Sequence, residues 1–217
     1  MIQDQRLQQA LEGIEQERAA LLADVEGFSQ AQLDFQPAPG SWSIGETIEH
    51  VGLSEQMLHQ NVRELLERGR GGQGFTRHIS YRDLSMQPRM IPDFLLRFEP
   101  FLVPLAMMNS FVPRAVQSMI LANPLFKVRT TPNLEPRPGV PRQERLAQLR
   151  DIRATTLKVM ESALHPDQHL DLTRLRWKHP LMGTHDIYGT LELLANHDRR
   201  HRQQIANVQK HPNFPAG

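Results

Sequence analysis

Two histidines stand four residues apart in NHDRRHRQQ (196–204), His197 and His201. On a helix that spacing stacks both imidazoles on one side, and stacked imidazoles can hold a metal ion. Spacing alone is weak evidence. Ten His scattered over 217 residues give about half such a pair by chance. A second pair, His165 and His169 in HPDQH, has the same spacing. There Pro166 ends a helix, so those rings need not share a face and read as loop surface.

His197 and His201 differ because apolar periodicity continues on both sides of them. Counting ~100° per residue from Ile187, Leu191 falls at ~+40°, Leu194 at ~−20° and Ile205 at ~0°, with His201 at ~−40° and His197 at ~−80°. Both rings therefore flank the core-facing stripe. Buried ring nitrogens need partners; a metal ion is one solution, and two satisfied structural histidines are another. A third ligand would have to come from a different helix. His50 in WSIGETIEH is the candidate. It lies at the margin of its own stripe, where an edge histidine half in solvent fits equally well.

The chain has no Cys, which excludes disulfides, a cysteine nucleophile and thiolate ligands. Any metal must be held by His and carboxylates. The segment HDRRH is not the HExxH of zinc proteases, because Asp198 stands where their Glu base would be. Asp198 instead reads as solvated or as supporting a ligand, and Arg199, Arg200 and Arg202 as a solvated face pointing away from the ligand edge. His179 in HPLMG could touch a substrate near the bundle mouth, with loop surface the plainer reading. Trp42 is expected to pack the corner between the first two helices.

Four segments with a helical period must position these residues. Leu7, Leu11, Ile14, Leu21, Val25 and Phe28 form the first stripe, and QPAPGSW (36–42) is a loop. Ser43 and Glu46 then form a capping box that opens a second helix running to about Arg68. A third begins near Pro141 and ends at His165-Pro166. The fourth begins between Thr184 and Ile187. With no alternating strand pattern, the expectation is an all-α four-helix bundle with a long crossover between helices 2 and 3. It would form a single domain over 1–217, with an insertion over 69–140 and a loose tail at 210–217. The insertion is Met-rich and could hold one or two helices around 101–121. Its methionines could line a groove, although ordinary core packing is the plainer reading.

Charge narrows the class of function. With 25 Lys+Arg against 24 Asp+Glu the net charge is +1, which leaves no electrostatic footprint for nucleic acid or an anionic membrane. MIQDQRLQQALEG lacks the apolar core of a signal peptide. FLVPLAMMNSFVP (101–113) is too short to span a bilayer. A cytoplasmic protein is expected.

The order WSIGETIEH, a long insertion, then HPLMGTHDIYGTLELLANHDRRHRQQI resembles the DinB/YfiT-like superfamily of four-helix-bundle metalloenzymes, and PNLEPRPGVP before the third helix extends the likeness. The resemblance implies a divalent metal ion (Zn, Ni or Fe) held by His50, His197 and His201. It also implies an enzyme, in the first instance an S-transferase using a low-molecular-weight thiol such as bacillithiol or mycothiol against an electrophilic substrate. A metal-dependent hydrolase and a non-catalytic, stress-related metal-binding bundle are the alternatives. Iron domains of this superfamily that form sulfoxides can carry a carboxylate two residues after the last His; Gln203 stands there, which argues against oxygen chemistry. Members commonly form homodimers, which is a further expectation.

Overall fold

A computed structural model describes residues 4–70, 72–79, 134–163, 170–179 and 182–217. The helices expected around 101–121, the Met-rich groove and the His165/His169 pair lie outside the described residues. Five helices and three short strands make up the described part: α1 (Gln5–Val25), α2 (Gln30–Asp34), α3 (Ile44–Arg68), β1 (Phe75–His78), α4 (Arg142–Ala163), β2 (Leu175–His179), β3 (Gly183–Asp186) and α5 (Ile187–Gln209). The four long helices form the expected bundle. α1 packs on α5, and α3 packs on both α4 and α5.

Side-chain caps start these helices. Asp4 accepts from Leu7 N at 3.1 Å to open α1, and Asp186 accepts from Gly189 N at 2.7 Å to open α5. The Ser43/Glu46 capping box is present in both directions, with Glu46 N donating to Ser43 Oγ at 3.1 Å and Ser43 N donating to Glu46 Oε2 at 2.7 Å. Each cap satisfies amide groups that have no partner within the helix. Pro141 precedes α4, where its carbonyl takes the first helical hydrogen bond, from Arg145 N at 3.1 Å.

The sheet is an addition to the expected fold. β2 is its middle strand, parallel to β1 and antiparallel to β3. Leu175, Trp177 and His179 alternate inward along β2, and Trp177 Nε1 donates to Thr190 Oγ1 at 2.7 Å, tying the sheet to α5. His179, read as loop surface, is buried in β2. The C-terminal stretch, expected to be loose, packs back instead: the Phe214 ring lies 5.9 Å from that of Phe28 and 5.5 Å from that of Phe35.

The core is divided in two. Leu21, Ile44, Ile48, Val51, Leu149 and Ile205 belong to one apolar cluster; Leu7, Ile14, Leu58, Val62, Trp177 and Leu194 belong to the other. Between them along the helices lie four buried charged residues, one from each long helix: Arg18, Glu55, Arg153 and Asp198. Arg18 Nη2 donates to Glu55 Oε2 at 2.6 Å and its Nε to Asp198 Oδ2 at 2.9 Å. Arg153 Nε donates to Glu55 Oε1 at 2.7 Å and its Nη2 to Asp198 Oδ2 at 3.2 Å. Two cations meet two anions, so the layer is neutral. Although burial pushes the Glu55 carboxyl up, Arg18 and Arg153 outweigh it and hold the group below its usual range.

Candidate metal centre

His50 rides on the second turn of α3, while His197 and His201 project from the middle of α5. The bundle brings the three together. One ligand-capable atom from each lies within 4.8 Å of the other two, and ring centroids are 5.3 Å apart for His50–His197, 5.2 Å for His50–His201 and 4.4 Å for His197–His201. His197 Nε2 and His201 Nε2 face each other at 3.2 Å. Bonds of about 2.1 Å to one ion would hold ligand nitrogens roughly 3–3.5 Å apart, so that pair already has the required separation.

Hydrogen bonds on the far side of two rings fix which nitrogen is free. The Leu134 carbonyl lies 3.1 Å from His50 Nδ1. A carbonyl oxygen can only accept, so Nδ1 carries the proton and Nε2 keeps its lone pair. On α5, His201 Nδ1 donates to Gln204 Oε1 at 3.0 Å. Gln204 Nε2 donates in turn to Thr47 Oγ1 at 3.5 Å, and Thr47 Oγ1 donates to the Ser43 carbonyl at 2.9 Å. The α5 ring is thus tied to the first turn of α3. Trp42, expected only to pack a helix corner, lies with its ring centroid 4.7 Å from that of His50 and forms a wall of the site.

All three imidazoles are held neutral. Burial, with repulsion from His50, pushes His201 down to about 3. Burial followed by the His201 and His50 rings pushes His197 well below its ordinary value. Burial also lowers His50, against the opposing pull of its bond to Leu134. Arg200 contributes to the lowering of all three. Neutral imidazole is the ligand form, so none of the three rings has to give up an imidazolium charge near pH 7.

Two readings of the neighbourhood change. Asp198 is neither solvated nor a support for the ligands; it is buried in the four-charge layer. The three arginines also separate. Arg199 and Arg202 reach α1, bonding Glu17 Oε1 at 2.5 Å and Asp24 Oδ2 at 2.8 Å. Arg200 is exposed, and its charge acts on the imidazoles. Of the residues that sequence reasoning missed, Gln204 had a signal, since it falls three positions after His201 on one helix face. Leu134 acts through its backbone and had none.

The sequence pattern of the DinB superfamily matches residues 14–205. The chain belongs to the DinB superfamily. Among solved structures, the fold resembles that of YfiT from Bacillus subtilis, described as a probable metal-dependent hydrolase with an unusual four-helix bundle topology. That likeness covers 99% of this chain and 91% of YfiT with a TM-score of 0.51 and 13% identity, and it speaks for a shared fold. No curated protein matches the sequence. Among the described residues of this DinB superfamily member, no helix is long and apolar enough to cross a membrane.

Proposed function

We propose that the chain is a divalent-metal-dependent enzyme whose ion is held by His50, His197 and His201, and that it transfers a low-molecular-weight thiol to an electrophilic substrate. One observation carries this reading: three neutral imidazoles converge, and the carboxylates nearest them in sequence are all engaged elsewhere. Glu46 caps α3, Glu49 is paired with Arg137 and Arg145, and Asp198 is paired with Arg18 and Arg153. A divalent ion bound by three neutral ligands keeps its full charge and would supply strong polarisation of a small anion such as a thiolate.

The residues divide the remaining work. Leu134 and Gln204 hold the two Nδ1 protons, so that Nε2 of His50 and of His201 is presented to the ion. Trp42 shields one side of His50 from water. Arg200 places a cation beside the site, which favours an anionic reactant. No described carboxylate is placed to serve as a general base, so the nucleophile best suited to this site arrives already as an anion. The chain has no Cys, and the sulfur must come from a separate small molecule.

Hydrolysis is the second reading, favoured by the description of YfiT. A panel of cellular thiols with an electrophilic reporter, run beside ester and amide substrates, separates the two. The transferase reading expects turnover that needs both added metal and thiol. Ester or amide cleavage without thiol would replace it with hydrolysis, and inactivity in every arm would leave a non-catalytic binder.

A further inference from the structure

The carbonyl that fixes the His50 ring belongs to a short segment, Leu134–Val140, and that segment is held with unusual thoroughness. Glu49, the residue before His50, accepts from Arg137 N at 2.9 Å through Oε2 and from Arg137 Nε at 2.6 Å through Oε1. Arg145, entering from α4, donates from Nη1 to Glu49 Oε2 at 3.0 Å, from Nη2 to the Arg137 carbonyl at 2.7 Å, and from Nε to the Val140 carbonyl at 3.2 Å. Its Nη1 also bonds the Gly45 carbonyl. The Arg145 and Glu49 side chains are 0% and 1% exposed, against 58% for Arg137.

Local sequence stiffens the same segment. Pro136 and Pro138 flank Arg137 and restrict the backbone on either side of it. Gly139 adopts φ +67°, a turn that other residues enter at a cost. Gly45 leaves room for the guanidinium: a Cβ there would meet Arg145 Nε at 3.1 Å and the Leu33 carbonyl at 3.2 Å. Fully burying an Arg–Glu pair is a poor way to gain stability alone, because desolvation offsets most of the attraction.

We propose that Glu49, Arg145 and Arg137 are positioning residues that hold the Leu134 carbonyl against His50 Nδ1 and so fix the tautomer and direction in which His50 offers Nε2. The importance of this for metal binding rests on the proposed site. The tautomer itself does not, and the two can be tested apart.

The test uses the full chain without metal. Long-range ¹H–¹⁵N spectra report the protonated nitrogen of each imidazole, and the His50 signals are assigned by their loss in His50→Gln. Wild type is expected to show the Nδ1–H form alone. Glu49→Gln and Arg145→Lys, which lose one charge and the guanidinium fork respectively, should show a mixture with the Nε2–H form. Arg137→Ala keeps the buried Arg145–Glu49 pair and serves as the variant sure to fold; it should shift in the same direction by less. Glu144→Gln, which removes a surface partner of Arg137 at 3.3 Å, should leave the spectrum unchanged.

Titration with Co(II) alone is the second readout. Affinity should fall about 10–100-fold in Glu49→Gln at unchanged stoichiometry, the usual effect of removing a residue that orients a ligand. An unaltered Nδ1–H signal in folded Glu49→Gln and Arg137→Ala would overturn the proposal and leave the three residues a structural role only. Failure of wild type to bind Co(II) would defeat the metal site, while the spectra would still decide the clamp.

Discussion

His197 and Asp198 are neighbours in sequence that serve different layers of the bundle. His197 Nε2 lies 3.2 Å from His201 Nε2, while Asp198 Oδ2 lies 2.9 Å from Arg18 Nε. One step along α5, about 100° of rotation, separates the candidate metal centre from the ion pairs that join all four long helices. Substitutions at the two positions should therefore fail in different ways.

Loss of a ring should empty the site and spare the fold. Elemental analysis of untagged protein is expected to find about one divalent ion per chain, as for a single three-histidine site. His50→Ala and His197→Ala should each lose it, with far-ultraviolet circular dichroism unchanged. Metal retained in both variants would defeat the assignment of ligands.

Loss of Asp198 should do the reverse. Asp198→Asn leaves two buried guanidiniums facing one carboxylate, and breaking a buried charge pair costs about 3–5 kcal/mol. Urea unfolding should show that loss. Asp198→Glu, which restores an HExxH-like spelling, should also destabilise and should confer no hydrolytic activity. A gain of ester cleavage in that variant would contradict the burial of this side chain.

Gln204 should tune the site from behind. Gln204→Leu removes the acceptor for His201 Nδ1–H, and metal affinity is expected to drop about 10–100-fold. Gln204→Glu keeps an acceptor and should bind more tightly than the Leu variant. Equal affinities across all three proteins would show that the ring orients itself.

Acid should weaken the fold through a histidine outside the cluster. Burial, followed by repulsion from His185, pushes His179 down to about 4. In the unfolded chain the same ring titrates at about 6.5. As pH falls below about 6.5 the unfolded state takes up a proton that the native state refuses, so stability is whole above that value and declines toward pH 4. Each tenfold difference in proton affinity is about 1.4 kcal/mol, which makes the full loss roughly 3 kcal/mol. His179→Gln retains an acceptor for the Met182 amide, bonded in the native protein at 3.1 Å, and should flatten the pH dependence of the urea midpoint. Identical slopes for the variant and wild type would refute this account.

The bundle was largely legible in the sequence because its signals are local. Ser43 and Glu46 announce α3, and the Ile187–Leu191–Leu194–Ile205 stripe gives both the length of α5 and the side on which its histidines stand. The sheet was not legible, since β1 and β3 are four residues long and β2 shows only three inward positions, too few to stand out from chance. Arg18 and Asp198 were hidden for another reason. Each occupies a core position on its helix, and only the assembled bundle supplies the opposite charges that make burial tolerable. The approach of His50 to the α5 pair could be proposed from helix faces, whereas the hold of Leu134 on that ring depends on a backbone atom with no signature in residue type.

The pairing of Phe75 with Leu175 also bears on how the molecule is made. Parallel partners a hundred positions apart close late, because a long stretch of chain must lose its freedom before they meet. His50 waits still longer for His201, which lies on the last helix described. A nascent chain leaving the ribosome thus carries only one of the three rings until α5 emerges, and the three-histidine cluster cannot assemble before then. If those rings hold the ion proposed for them, metallation would be a closing event of biosynthesis, reserved for molecules whose topology is already correct.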